Sequence, residues 1–456
     1  MNKIPVVSKQ EVKSLGRTFM QSPAIFLLSL AEKFGDVLQF KLGPFKVVLI
    51  SNPEIIQEML IAQVKLFPKA KRDTDILSKV VGQGIVTADQ QTHKPFRKVA
   101  QPSFMHRRIV GYQTIFEKYA QDSIDKLNHG QTVNIAREME RLSLQITCKT
   151  LFGLDKEDLQ RTTDVSKSIS KLNALVSKNF EGFVNFPAWF PSPLNLQIKR
   201  ARKVIDDIVE EIIIKRRSMP LKDHGDLLSS LMEATDDAGH PLTNENIKDH
   251  LVSFFIVGHE TTSNTLLWSW YCLAKFERQA QNVYQEIIGT KSDVPLTLSN
   301  YPKTHAFIKE VLRLFPPVWL IGARKAAQNV VIGGFEFKKN DRVFISPFVV
   351  QRLESNFNKP SQFDARRWEG VDYKKGAYIP FGAGHRNCIG QHFALQEILT
   401  VLVTFIRVAR VEFIDKSVDP INIQAHASLS NFGGMTMKVN KSFELDKASA
   451  FSKSSV

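Results

Sequence analysis

One cysteine of this sequence stands in surroundings suited to chemistry. Cys388 lies in the run Phe381-Gly382-Ala383-Gly384-His385-Arg386-Asn387-Cys388-Ile389-Gly390, just ahead of an apolar helical pattern that begins at Gln391. Glycines let the backbone turn tightly and approach a bound group, while a helix N-terminus offers N–H donors and positive potential that favour a thiolate over a thiol. A hydrogen-bonded thiolate is what an iron ligand requires. Two other readings of the same residues stand beside it: a buried structural cysteine, and a zinc site made from His385, Cys388 and His392. Cys148 and Cys272 sit within apolar helical patterns and read as core.

A second constellation is Val257-Gly258-His259-Glu260-Thr261-Thr262, in the middle of the longest helical pattern. A glycine inside a helix costs about 1 kcal/mol relative to alanine, and room for a ligand against the backbone is one reason to keep it. Thr261 lies three residues on, along the same face, where its hydroxyl can bond water or bound oxygen, and Glu260 can supply a proton path. The plain alternative is a threonine bonded back to its own helix and a glutamate in a salt bridge. Glu310-Val311-Leu312-Arg313 puts opposite charges three residues apart, near enough to pair on one helix face. His93-Lys94-Pro95-Phe96-Arg97, taken alone, is a solvated basic turn.

These residues need elements to hold them. Thr243 is a good N-cap, with Glu245 in the first turn, for a proline-free helix reaching about Ile287 with a break near Glu277. Its central run LVSFFIV places it through the core. The run QHFALQEILTVLVTFIRVA reads as a final helix directly after the cysteine loop. Residues 37–51 read as a hairpin around Gly43-Pro44, and NVVIGGFEF and DRVFISPFV as short strands. Helical periodicity dominates residues 104–290, interrupted at 179–195 by NFEGFVNFPAWFPSPLN, which reads as a mobile connection between two helices.

Composition bounds the rest. The chain has 456 residues, 43% hydrophobic and 23% charged, which excludes disorder, a collagen and a disulfide scaffold. Its length suggests two or three domains of about 150 residues, yet no Gly/Ser-rich or Pro-rich linker divides it. The net charge is +15, but Lys and Arg are dispersed and no zinc-finger or RNA-platform signature accompanies them, which argues against nucleic acid. Three widely spaced cysteines point to a reducing compartment. The N-terminus lacks an apolar signal region and AIFLLSLA falls short of the roughly 20 residues of a transmembrane anchor, so a cytoplasmic protein is expected.

The pattern F-x-x-G-x-R-x-C-x-G, met by Phe381, Gly384, Arg386, Cys388 and Gly390, resembles the haem-binding loop of the cytochrome P450 family. Other family landmarks follow in order. Val257 to Thr262 resembles the oxygen-activation motif, with Val257 where Ala or Gly is usual. Glu310 and Arg313 resemble the E-x-x-R, and Arg367 in FDARRW the third member of that structural triad, although Ala365-Arg366 replaces the usual Pro-Glu before it. His93 and Arg97 resemble the propionate-binding W/H-x-x-x-R, and Arg324 lies where a further propionate-binding Arg often stands. The resemblance covers almost the whole chain.

It implies a mainly α fold with small β-sheets, an α+β architecture in which the long helix crosses over the haem and residues 1–456 form a single haem domain without a fused reductase. Cys388 would be the axial ligand of haem b, with Phe381 packed beside the sulfur, Gly390 closing the loop, and His93, Arg97, Arg324 and Arg386 near the propionates. Glu310, Arg313 and Arg367 would hold the haem-side fold. Gly258, Glu260 and Thr261 would handle O2 in a monooxygenase, a pair of side chains that peroxide-using relatives tend to lack. A haem-thiolate sensor or electron carrier is the alternative outside catalysis. Electrons would come from a separate acidic ferredoxin or flavodoxin, docked on the region 302–386, which holds 15 Lys/Arg against 7 Asp/Glu. Positions that line the family's pocket are apolar here: Ile76, Val80, Phe183, Phe186, Val257, Val318, Trp319, Leu320, Leu429 and Phe432. Each could equally be core. Such a pocket suits a fatty acid, a terpenoid or a similar lipid, with FVNFPAWFP either gating its entrance or touching a membrane surface.

Overall fold

The longest helix follows from its cap and its composition. In the computed structural model, which describes residues 2–154, 162–182, 184–219, 223–235, 239–417, 419, 421–431 and 433–441, the Thr243 hydroxyl accepts the Asn246 N–H at 3.2 Å and starts a helix over Asn244–Lys275. Its residues from Leu251 to Ile256 and from Thr262 to Leu273 are buried, so it is covered on all sides. Phe276 then leaves helical geometry and stacks on Phe363 with ring centroids 4.8 Å apart. The expected break near Glu277 is therefore present, and a second helix runs over Glu277–Gly289.

Ten helices frame the site: α1 Lys71–Val81, α2 His93–Ala100, α3 His106–Asp125, α4 Ile135–Phe152, α5 Thr162–Glu181, α6 Pro193–Arg217, α7 Asn244–Lys275, α8 Glu277–Gly289, α9 Pro302–Leu314 and α10 Gln391–Val408. The aromatic segment begins inside α5 and ends inside α6, which the Ser192 hydroxyl caps, so the irregular connection is shorter than the sequence suggests. Helix α10, the expected final helix, is apolar along its length because it lies between α3, α7 and α9.

The expected hairpin forms as β1 Val37–Leu42 and β2 Phe45–Ile50. Two later strands, β3 Ile321–Lys325 and β4 Arg342–Ile345, complete a sheet of order β1-β2-β4-β3 in which only β2 and β4 run parallel. The register shifts between Ile321 and Arg324, an irregularity of the kind that re-aims a side chain, and Arg324 faces inward. NVVIGGFEF is a small hairpin of its own, and a second one joins β5 Ile423–Ala425 to β6 Leu429–Asn431.

Candidate active site

The cysteine loop is shaped by close backbone approaches. The Cys388 N–H donates to the Phe381 carbonyl at 2.8 Å, which folds the loop back on itself. Gly384 has φ +71°, and a Cβ there would stand 2.4 Å from the Leu60 carbonyl oxygen, so only glycine fits. The sulfur opens into a cavity of about 360 Å³ and is enclosed by protein elsewhere. Burial pushes the Cys388 thiol up, while the Gly390 N–H and the charge of Arg97 pull it back toward the thiolate. Among the described residues no three His, Cys, Asp or Glu side chains gather into a metal-binding group, so His385, Cys388 and His392 do not form the alternative zinc site.

Beneath the loop, Glu310 and Arg313 are fully buried and doubly bonded at 2.9 Å, and Arg367 Nε reaches the same carboxylate at 2.9 Å. Trp368 and the Asp364 N–H also donate to Glu310, and Arg313 donates to the carbonyls of Gln351, Pro360 and Gln362. The three residues thus stitch α9 to the irregular stretch leading to Cys388. The unusual Arg366 turns outward to an exposed pair with Asp364.

One side of the cavity is strongly cationic. Arg97 holds the Asn387 carbonyl at 2.7 Å and its side-chain oxygen at 2.9 Å, and Arg386 bonds the Ala88 and Asp89 carbonyls. His93 is buried against His385 and Arg324 is buried as well, and among the described residues neither His93 Nδ1 nor Arg324 Nε has a hydrogen-bond partner. Lys69, which the sequence reading passed over, completes the group. Burial and the charges of Arg386 and Arg324 push the Lys69 amine down to about 7, and burial with Arg386 pushes Arg324 down to about 10. His93 falls to about 3, first through burial and then through Arg386. The cluster is short of negative charge.

The opposite side is apolar and is formed partly by α7. Phe254, Val257, Thr261 and Thr265 present one face of that helix to the cavity, and the Thr261 hydroxyl donates back to the Val257 carbonyl at 3.1 Å. One expectation needs correction, that Gly258 makes room for a ligand. Gly258 faces away from the cavity: a Cβ there would meet Thr147 of α4 at 3.5 Å, so its place is explained by helix–helix contact. Glu260 opens instead into a separate polar cavity behind α7, where it accepts bonds from Asn173 and, at 2.6 Å, from Ser428.

Of the expected pocket residues, Val257 and Val318 line the cavity. Ile76 and Val80 are buried in the core on the other face of α1, whose Thr74 and Leu77 line the cavity instead. Trp319 donates to the His426 carbonyl at 2.7 Å, Leu320 packs against the core, and Leu429 is buried with its carbonyl bonded to Trp268. Phe186 is exposed and stacks on Phe190. Phe183 and Phe432 lie outside the described residues. Ile85, Val86 and Phe254 were missed; Phe254 could have been found as the position three before Val257 and seven before Thr261 on one helix face.

Comparison with known proteins agrees with this arrangement. The family model of cytochrome P450 matches residues 12–434. The cyclooctat-9-en-7-ol 5-monooxygenase of Streptomyces melanosporofaciens is 28% identical over 404 residues, covering 86% of each chain. The pentalenene oxygenase of Streptomyces avermitilis is 26% identical over 401 residues, covering 86% of this chain and 87% of its own. In structure, the haem domain of a cytochrome P450DA mutant superimposes with a TM-score of 0.83 at 22% identity, covering 97% of this chain and 98% of that one. The chain belongs to the cytochrome P450 family, and it is a monooxygenase with the P450 fold.

That family implies a haem-thiolate cofactor, and the residues present fit one. A sulfur open to the cavity, two nitrogens on Arg324 and His93 without partners among the described residues, and a mutually repelling set of cations suit a flat group that brings two carboxylates. No helix among the described residues is long and apolar enough to cross a membrane.

Proposed function

We propose that Cys388 is the thiolate ligand of a haem b whose propionates lie among Lys69, His93, Arg97, Arg324 and Arg386, and that the enzyme oxidises neutral cyclic terpenoids. The observation that carries this reading is one cavity joining the Cys388 sulfur, those cations and the apolar face of α7. Haem bound there supplies the oxidation: with O2, two electrons and two protons it inserts one oxygen atom into a C–H or C=C bond and releases the other as water. The chain's own part is positioning and proton control. Phe381 and the Gly390 N–H shield and stabilise the sulfur, Val257 narrows the space above it, and Thr261 offers a hydroxyl on the substrate side. Glu260 is the carboxyl that hands on protons, and Glu310, Arg313 and Arg367 keep the loop in place.

The substrate class rests on charge and on kinship. The Lys and Arg residues lining the cavity all belong to the propionate group. A fatty acid carboxylate would find no cation of its own, and burying it unpaired is costly. The two Streptomyces relatives are named for the terpenoids cyclooctat-9-en-7-ol and pentalenene. Spectral titration should show a saturable shift with pentalenene and none with a fatty acid of similar size; the reverse result would refute the assignment.

Residues 1–456 read as a single haem domain in a reducing, cytoplasmic setting, served by a separate acidic ferredoxin or flavodoxin. Within residues 302–386, Lys303, Lys338, Lys339, Lys359, Lys374 and Lys375 are exposed, which supports a basic docking face. Association with such a donor should slow as salt rises, and a salt-independent rate would exclude electrostatic docking.

A further inference from the structure

An acidic side chain has no part in holding propionates, yet one lines the chamber over Cys388. Asp73, in the first turn of α1, faces that cavity together with Leu77 one turn further on, where Val86, Phe254 and Val257 make the walls apolar. The residue is buried, and a carboxylate in such a place is costly without partners. Two are present: the Arg342 guanidinium of β4 donates to Oδ1, and the Ala323 N–H of β3 donates to Oδ2 at 3.1 Å. The Ala70 N–H, just ahead of α1, donates to the Ala323 carbonyl at 2.8 Å, so helix and sheet hold the acid from both sides. Burial pushes the Asp73 carboxyl up, while Arg342, the Ala323 N–H and Arg72 pull it back toward the carboxylate.

A carboxylate can accept roughly four hydrogen bonds, so these two leave Asp73 able to accept more from the cavity. Nearby hydroxyls accept less strongly because they are neutral: Thr74 donates to the Lys71 carbonyl at 2.9 Å and Thr261 to that of Val257 at 3.1 Å. What approaches Asp73 must therefore be a donor, and a neutral one. A second carboxylate would be repelled by it. An ammonium group would meet a charge already matched by Arg342, with Arg72 close by and Lys69 and Arg324 lining the same cavity. A hydroxyl carries no charge and brings one proton to donate.

We propose that Asp73 is a specificity-determining residue that accepts a hydrogen bond from a hydroxyl on the substrate, so that the preferred substrate is a cyclic terpenoid alcohol rather than a terpenoid hydrocarbon. This rests on the reading of the substrate as a terpenoid. It places the enzyme after a reaction that leaves a hydroxyl behind, either an earlier hydroxylation or a cyclisation ended by water. Arg342 and Ala323 act as positioning groups, because they fix the direction in which the carboxylate presents its remaining lone pairs.

Spectral titration of the haem-loaded protein tests it with matched sets of a hydrocarbon, its alcohol and the methyl ether of that alcohol: cedrane, cedrol and cedryl methyl ether, or menthane, menthol and menthyl methyl ether. The alcohol should bind about tenfold tighter than the hydrocarbon, which leaves a buried carboxylate short of a partner. The ether keeps the oxygen but has no proton to donate, and should bind no better than the hydrocarbon. Asp73→Asn keeps the shape and an oxygen for the Ala323 N–H, and should lower the preference for the alcohol to roughly threefold or less. If Asp73 served only to clasp α1 to the sheet, the variant would lose stability with that preference unchanged. Equal binding of alcohol and hydrocarbon in every set, an ether as tight as its alcohol, or a preference that survives Asp73→Asn would overturn the proposal. The three-ligand comparison uses the wild type alone and so decides the matter even where the variant fails to fold. Equal binding of alcohol and hydrocarbon leaves the terpenoid reading standing, whereas a fatty acid that shifts the spectrum where no terpenoid does would overturn both.

Discussion

Glu310 and Arg313 are fully buried and share bonds with Arg367, Trp368 and four backbone groups, whereas Trp189 and Val184, in the connection between α5 and α6, are 81% and 66% exposed. The first region tolerates no water and few alternatives, since each buried charge there is costly unless every bond is made. The second is fastened by a few cations of α1: Lys79 donates to Asn185 at 2.6 Å, to the Phe186 carbonyl at 2.7 Å and to Asn195 at 3.1 Å, while Arg72 reaches the Gly182 carbonyl. A densely bonded loop and a lightly held connection thus differ in how many contacts fix them, and so in how readily each opens.

The division can be broken from either end. Glu310→Ala leaves two buried guanidinium groups without their carboxylate and should cost about 3–5 kcal/mol, enough to prevent recovery of folded, haem-loaded protein; thermal unfolding of the purified variant measures it. A smaller effect is expected at the cationic wall. Lys69 holds its proton less tightly folded, at about 7, than its ordinary 10.5, so the unfolded chain binds more protons between those values. Stability of haem-stripped protein should therefore rise with pH across that window, and Lys69→Met should flatten the rise while weakening haem retention; denaturant titrations at several pH values read both. The smallest effect belongs to the connection. Lys79→Ala should change stability by no more than about 1 kcal/mol, yet speed amide hydrogen exchange in residues 184–190 and leave exchange around Glu310 untouched.

How much of this the sequence disclosed differs between the same two regions. Around Cys388 the glycines, the cysteine and the charged residues sit at fixed separations along one loop and one helix, so type and spacing reveal what they must do. Spacing lets Glu310 and Arg313 pair, the family resemblance adds Arg367, and the structure joins all three. The pocket was legible only in part, because α1 is apolar on two faces: Ile76 and Val80 look inward to the core while Leu77 looks to the cavity, and hydropathy does not say which is which. Gly258 was read as room for a ligand when it serves the approach of α4, since a mid-helix glycine has either cause. Lys69 belongs to no motif, and its burial beside arginines shows only in the fold, where it bridges to Arg324.

The central claim is that Cys388 binds haem iron as a thiolate in this cavity. Its most direct measurement is the absorption spectrum of the reduced, carbon monoxide-bound protein beside that of Cys388→Ser. The wild type should give the red-shifted band of a thiolate-ligated haem and the variant should lose it while keeping its fold. The same band in both proteins, or its absence from a correctly folded, haem-loaded wild type, would contradict the account.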